Sequence, residues 1–321
     1  MTPTPAPGLA GLRWGVVAQV KASLVAVQTF VAWHLQQGAT QIWIYFDDPD
    51  DPAAKVFGTL KPHVQTRRCR DEYWAGQTGK RSEKKTVRQA ANALHAYCRM
   101  KVDWLAHIDV DEFILPLPGA GAGVRSVAQV LTDELGEDHD RIALRLRPYE
   151  ALTEPEGGPP GHFRAGPLGS VSRAKVSQAV YGRYVVGLGD GMLSHSVGKC
   201  FCRTGVEGLA PRIHGPWRHG ERLDTGDFVP GLALLHYHAT NRQDWLDHVG
   251  YRATKGAYSA RPEARAFFET ADQQELLAFY AAVQVASPDL LARLDAEQLL
   301  LAARPQLEES RARLFGPVQS V

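Results

Sequence analysis

Four cysteines in 321 residues, no surplus of either charge and no long apolar run are the first features of this chain. Cys69, Cys98, Cys200 and Cys202 form no C-x-x-C pair, so they read as incidental reduced thiols. Thirty-six basic against 35 acidic side chains leave a formal net charge of +1. That balance gives no bulk pull toward nucleic acid or an anionic membrane, while a local basic patch stays compatible with it. No stretch approaches about 18 uninterrupted apolar residues, and the N-terminal MTPTPAPGLAGLRWG lacks a basic region followed by an apolar one. A soluble, cytoplasmic protein is expected, with peripheral membrane contact left open. There is no internal repeat. What the chain does have is apolar content, 44% of its residues, enough for one compact α/β unit with an embellished second half.

Along the chain, strands and helices alternate. WGVVAQV (14–20) is a short β-branched run. In KASLVAVQTFVAWHLQQG (21–38), Leu24, Val27, Val31 and Leu35 recur at helical spacing until Gly38 stops the helix. QIWIYF (41–46) reads as a second strand, ended at DDPDD because Asp47, Asp48 and Pro49 cannot continue a central strand. Strand, helix and strand of these lengths make a βαβ unit with parallel strands. HVQTRR (63–68) is a candidate third strand. EKKTVRQAANALHAYCRMK (83–101) predicts a helix whose apolar face carries Val87, Ala91, Leu94 and Cys98, and WLAHIDVDEFI follows as the next strand. Ligands of open α/β sheets sit at the carboxyl ends of the strands, so the Asp47/Asp48 loop and the Asp109/Asp111 segment are expected to border one crevice.

From about residue 119 the texture changes. GAGAG (119–123) reads as a flexible break, a helix is expected near 124–135, and IALRLR (142–147) alternates as a strand covering a sheet edge. Residues 150–235 are rich in Gly and Pro and suit an acceptor site. AFFETADQQELLAFYAAV and PDLLARLDAEQLLLAA carry helical apolar faces, fit to pack across the domain or to make an oligomer contact. The expected organisation is a disordered or extended N-terminus (1–13), a principal domain (14–256) and a helical C-terminal extension (257–321).

DWLAHIDVDEFILPLP (103–118) sets Asp109, Asp111 and Glu112 among apolar neighbours. In an extended chain, residues 109 and 111 face the same side, so both carboxylates converge on one point. Two hard oxygen ligands suit Mg²⁺ or Mn²⁺ and leave positions for phosphate oxygens and water. An ion bridging a diphosphate would neutralise charge on a leaving group. The plain alternative is an Asp-rich strand end that caps the next turn, and spacing alone leaves both open.

DWLAHIDVDEFILPL resembles the signature of glycosyltransferases of the family 2 and family 92 kind, where an apolar strand runs into D-x-D-E-F. GATQIWIYFDDPDD resembles the segment after the first helix that carries nucleotide contacts, and RQAANALHAYCRMKVDW the helix leading into the D-x-D strand. Downstream, SVGKCFCR around Lys199, RIHGPW around His214 and LLHYHATNRQDWLDHVGYRATKG (234–256) resemble later elements of the same pattern. The resemblance covers roughly 14–256, and the ordered combination is more specific than any one piece.

That resemblance implies a GT-A fold, a Rossmann-like and mostly parallel sheet flanked by helices. It also implies metal-dependent transfer of one sugar, with UDP-hexose the expected donor, to a saccharide or other hydroxyl acceptor with inversion. Polysaccharide biosynthesis is the process it suggests. Asp109 and Asp111 become metal and diphosphate ligands, Asp47 or Asp48 a contact to ribose or base, and Lys199 a phosphate partner. His236 completes the metal shell, with His214 and His238 behind it, and Glu112 is a doubtful ligand-orienting group. The general base is expected among Glu150, Asp190 and Glu207. Asp190, flanked by glycines in GLGDGML that let substrate approach the backbone, is the choice, although such an Asp is also an ordinary turn residue. Trp74 and Trp217 are loop candidates for stacking on sugar. Two rival classes remain: a haloacid dehalogenase-like phosphatase, whose D-x-D strand would normally come first in the sheet, and a non-catalytic nucleotide-sugar or carbohydrate-binding protein on the same scaffold.

Overall fold

A computed structural model of the chain describes residues 11–119, 123, 125–136, 140–169, 173–256 and 258–317. Most of the expected N-terminal extension (1–10) and the middle of the GAGAG break lie outside the described residues. In chain order the elements begin β1 (Trp14–Val20), α1 (Leu24–Gln36), β2 (Gln41–Phe46), β3 (Val64–Arg68), α2 (Asp71–Thr78), α3 (Lys85–Tyr97), β4 (Trp104–His107) and β5 (Glu112–Pro116). They continue α4 (Val127–Leu135), β6 (Ala143–Ala151), β7 (His162–Ala165), α5 (Arg173–Tyr181), β8 (Lys199–Arg203), β9 (Leu209–Ala210), β10 (Trp217–Arg218), β11 (Glu221–Arg222) and β12 (Phe228–His236). The C-terminal part holds α6 (Arg242–Thr254), α7 (Pro262–Thr270), α8 (Gln273–Gln284), α9 (Pro288–Ala296), β13 (Leu300–Ala302) and α10 (Leu307–Phe315). Among the described residues no helix is long and apolar enough to cross a membrane.

The architecture is mixed α/β, in two compact units. The first draws on residues 1–146, 199–234 and 306–321. Its centre is the parallel set β3, β2, β1 and β4, continued antiparallel by β8 and the first residues of β6. All seven residues of β1 are buried, as a β-branched run covered on both faces requires. Gly15 permits the tight pairing with β2, because a Cβ there would stand 2.4 Å from the Gln41 carbonyl oxygen. α1 starts at an N-cap, the Ser23 hydroxyl accepting from Ala26 N at 3.3 Å, and is followed by Gly38 at φ 93°. β5 pairs with β12.

The second unit draws on residues 147–198 and 235–305. Here β7 pairs antiparallel with the end of β6 and with β13. An aromatic core surrounds them, with Trp245, Tyr258, Phe268, Phe279 and Tyr280 all buried. The two apolar segments expected as helices are each interrupted. Asp272 N-caps α8 and forms a capping box with Glu275, which separates α7 from α8. After α9, Gln298 adopts φ 56° and Leu300–Ala302 form β13, a strand that replaces the expected helical end.

Three expectations in the first unit are corrected. WLAHIDVDEFI is two strands: β4 stops at His107, and Glu112 N donates to the Asp109 carbonyl at 3.0 Å, closing a turn over 109–112. The same-side argument for Asp109 and Asp111 therefore does not apply. On α3 the outward face is the one with Val87 (43% exposed) and Leu94 (41%), while Arg88, Gln89, Asn92, Ala93 and Ala96 turn inward. Trp74 belongs to α2 and is buried, its indole donating to the Cys69 carbonyl at 3.0 Å, so it offers no stacking face; Trp217 on β10 is exposed.

Candidate active site

Parallel register fixes where the acidic loops emerge. Val20 pairs with Phe46 and Val17 with His107, so β1, β2 and β4 end on the same edge of the first unit's sheet. Asp47 N donates to the Val20 carbonyl and Ile108 N to the Val17 carbonyl, at 3.0 and 3.1 Å, which ties both loops to β1. The shared edge anticipated from the sequence is thus present.

Asp47 sits just past β2, buried and clamped by arginines. Arg88 Nε and Nη2 donate to its two oxygens at 2.8 and 2.7 Å, and Arg81 adds a bond at 3.0 Å. The Arg88 fork is itself aimed by two bonds to the Ser82 and Glu83 carbonyls at 2.8 Å. Burial pushes the Asp47 carboxyl up, but the bonds and charge of Arg88, then Arg81, more than offset it and hold it below the usual range. Asp48 is exposed and accepts from Asp50 N at 2.9 Å, a turn-forming role. A cavity of about 280 Å³ opens here, lined by Lys21, Asp47, Asp48, Pro49, Cys69, Asp71 and Arg81.

At the end of β4 the carboxylates surround an ammonium. Antiparallel pairing of Ala106 with Phe201 brings the start of β8 beside the end of β4. Lys199, 1% exposed, thereby places Nζ 2.6 Å from Asp109 Oδ2 and 3.3 Å from Glu112 Oε2. Asp109 Oδ1 accepts from Gln89 Nε2 at 2.8 Å, and Glu112 Oε2 accepts from Asp109 N at 2.8 Å. Burial opposes ionisation of both partners. The mutual attraction overrides it, holding the Asp109 carboxyl well below its ordinary range and the Lys199 ammonium well above. Asp111 stands half-buried in the turn. His107, the last residue of β4, is buried; burial, then the Lys199 charge, lower its pKa from 6.5 to about 4, so the ring is neutral near pH 7.

The second unit holds the remaining candidates. Asp190 has φ 49° and Gly191 φ 75°, and two bonds between Gly189 and Met192 of 2.8 and 3.0 Å close a tight hairpin turn around them. The Asp190 carboxylate is exposed and accepts from Ser196 Oγ at 2.7 Å and Arg173 Nη1 at 3.3 Å. Glu150 is fully buried: it receives Arg164 Nε and Nη2 at 3.0 and 2.8 Å, Leu193 N at 2.9 Å and Ser194 N. Its acceptor capacity is filled, which removes it as a base for an external hydroxyl. Glu207 and His214 lie in the first unit, Glu207 exposed. His236, at the end of β12, is buried with its ring centroid 5.4 Å from both His195 and His238. His238 Nε2 is hydrogen-bonded to Tyr258 Oη at 3.0 Å.

Asp47 and Asp109 therefore sit at one sheet edge, as the sequence suggested, and β8 brings Lys199 to Asp109. Arg88 and Gln89 were missed; Arg81 opens the run RSEKK (81–85), which reads from sequence as a solvated helical face more readily than as a group reaching a diphosphate. His195 was missed as well, being a lone His in a glycine-rich loop.

Residues 19–205, more than half of the chain, match the family model of glycosyltransferase family 92. No curated protein matches the chain. Among matching solved structures is the crystal structure of HddC from Yersinia pseudotuberculosis, with 8% identity, 70% of this chain and 77% of that chain covered, and a TM-score of 0.27.

Proposed function

The chain belongs to glycosyltransferase family 92, and from that premise we propose that it moves a hexose from a UDP-sugar to an acceptor hydroxyl with inversion, on a GT-A scaffold. What supports this reading most is the clamped Asp47 at the wall of the 280 Å³ cavity. A carboxylate offers roughly four lone-pair sites; arginines fill three on Asp47, and the last accepts a donor group of the nucleoside. Asp48 closes the turn beside it. Arg81, whose side chain is 40% exposed, faces the diphosphate.

The family resemblance also implies Mn²⁺ or Mg²⁺. Lys199 and Gln89 each take one site on the Asp109 oxygens, so this carboxylate is already engaged before any ion arrives. In this reading Asp109 and Lys199 orient the turn and the diphosphate, and Asp111 offers the hard oxygen donor. In the second unit His236 offers an imidazole. Bound to such a donor, the ion would supply charge neutralisation on the leaving nucleotide.

In the transfer the acceptor oxygen forms a bond to the anomeric carbon as the bond to the diphosphate breaks, and the hydroxyl proton passes to a base. Asp190 is the proposed base, exposed where Glu150 is closed off. A phosphatase reading is weaker, because the strand that leads into Asp109 is the fourth in chain order rather than the first.

The test is calorimetric titration of UDP-sugars with and without Mn²⁺, followed by transfer assays over an acceptor panel. Donor binding is expected, lost by at least about tenfold in Arg88→Ala. Asp190→Asn, which keeps a residue tolerant of positive φ, is expected to lower kcat about 100-fold with donor affinity unchanged. Binding of no nucleotide-sugar would sink the proposal, and binding without turnover would favour a non-catalytic carrier.

A further inference from the structure

The second unit contains an imidazole pair that the reading above uses only in part. His236 is 6% exposed, and His195 is half-buried beside it. Their ring centroids are 5.4 Å apart with planes tilted 36°, and a nitrogen of each lies within 4.8 Å of a nitrogen of the other. Two nitrogen ligands of one first-row ion, each about 2.1 Å from it, stand some 3–3.5 Å apart, a separation that small side-chain rotations reach from here.

His195 is also held in place. Its loop is anchored on the residues before and after it: Arg261 Nη1 donates to the Met192 carbonyl at 3.2 Å and Nη2 to the Leu193 carbonyl at 2.5 Å. The amides of Leu193 and Ser194 donate to Glu150, and Ser196 Oγ donates to Asp190. Glu150 is in turn fixed by Arg164, which also bonds Gln284 at 3.1 Å and the Val283 carbonyl. On the other side, β12 carries His236, and His238 is tied to Tyr258. A loop with a backbone or side-chain bond at each of residues 192, 193, 194 and 196 presents the imidazole at 195 with little entropy left to lose.

We propose that His195 is a second imidazole ligand beside His236, so that the protein takes a borderline transition ion of the Mn²⁺, Co²⁺ or Zn²⁺ class in preference to Mg²⁺. The proposal rests on the transferase reading only for the use the ion is put to. Its chemistry is that of the donor atoms: Mg²⁺ takes oxygen ligands and keeps its waters, whereas imidazole nitrogen favours the later first-row ions. Each nitrogen in place of an oxygen widens that preference.

Calorimetry of Mn²⁺, Co²⁺ and Mg²⁺ with the full chain, together with the visible absorption of the Co²⁺ form, tests it without any turnover. Wild type is expected to bind Co²⁺ and Mn²⁺ more tightly than Mg²⁺. His195→Ala and His236→Ala are each expected to weaken Co²⁺ binding by at least about tenfold and to change the Co²⁺ spectrum. Mg²⁺ affinity should hold within about twofold. His195→Gln, which keeps a polar side chain of similar reach, serves if the alanine variant does not fold. Unchanged Co²⁺ affinity and spectrum in the folded His195 variants would overturn the proposal, as would wild type binding Mg²⁺ as tightly as Mn²⁺. Titration of UDP-sugar into the same samples separates the two ideas. Co²⁺ binding lost in the His195 variants, with no nucleotide-sugar bound by wild type, defeats the transferase reading and leaves the metal site standing.

Discussion

At the scale of single residues, the candidate site is a set of buried charges held in balance. Lys199 neutralises two carboxylates, Asp109 and Glu112, and all three are removed from water to different degrees. Taking away one member of such a group is more damaging than its net contribution, because the others are left buried without a partner. Lys199→Met is therefore expected to destabilise the fold by about 3–5 kcal/mol, read as a lowered urea midpoint at unchanged slope. Adding Glu112→Gln should recover part of the loss, since one orphaned charge goes with it; a double variant no better than the single one would refute this account of the triad. Legibility at this scale followed chemistry: carboxylates next to strand ends and a Lys opening a strand stand out in a sequence. Their partners did not. Arg88 and Gln89 resemble any polar residues of a helix, and only the folded register reveals that they point at Asp47 and Asp109.

At the scale of elements, α3 shows why. Apolar periodicity assigns Val87, Ala91, Leu94 and Cys98 to the inward face, but the helix is rotated so that polar side chains and small alanines face the sheet. Ala93 and Ala96 are fully buried and let the helix approach closely, while Arg88, Gln89 and Asn92 find partners across it. The rule that apolar residues face inward gives way here because the inward polar groups have their bonds satisfied, the condition under which polar side chains are buried. The consequence is measurable. Ala93→Leu should cost about 1–3 kcal/mol by overpacking, whereas Leu94→Glu should stay within about 0.5 kcal/mol of wild type; the reverse order in urea unfolding would restore the apolar-face assignment. The strands β1 and β2 were legible for the opposite reason, being short apolar runs with abrupt ends. The turn at 109–112 and strand β13 were not, because a turn inside an apolar stretch and a three-residue strand leave no period to count.

For the whole molecule, the buried histidines of the first unit govern behaviour in acid. His34 is fully buried, Nδ1 hydrogen-bonded to the Phe30 carbonyl and Nε2 accepting from Ile114 N, so the neutral ring uses both nitrogens. Burial lowers its pKa from 6.5 to about 4; His95 and His107 are lowered to about 4 for the same first reason. In each case the folded pKa lies below the unfolded one, so between pH 6.5 and 4 the unfolded chain binds more protons and stability falls as pH falls. The full effect is on the order of 3 kcal/mol for a group as buried as His34. Urea midpoints measured from pH 7 to 4 should decline through this window, and His34→Gln should flatten part of the decline; a midpoint constant across it would show that the rings are protonated in the fold. The thiols are distributed with the same asymmetry. Cys69, Cys200 and Cys202 are buried, their pKa values raised by burial, while Cys98 is exposed just past the end of α3. One maleimide dye therefore attaches to native protein at one place without mutagenesis. It sits at the end of the helix that carries Arg88 and Gln89, so the nucleotide-sugar binding proposed above is expected to register as a fluorescence change.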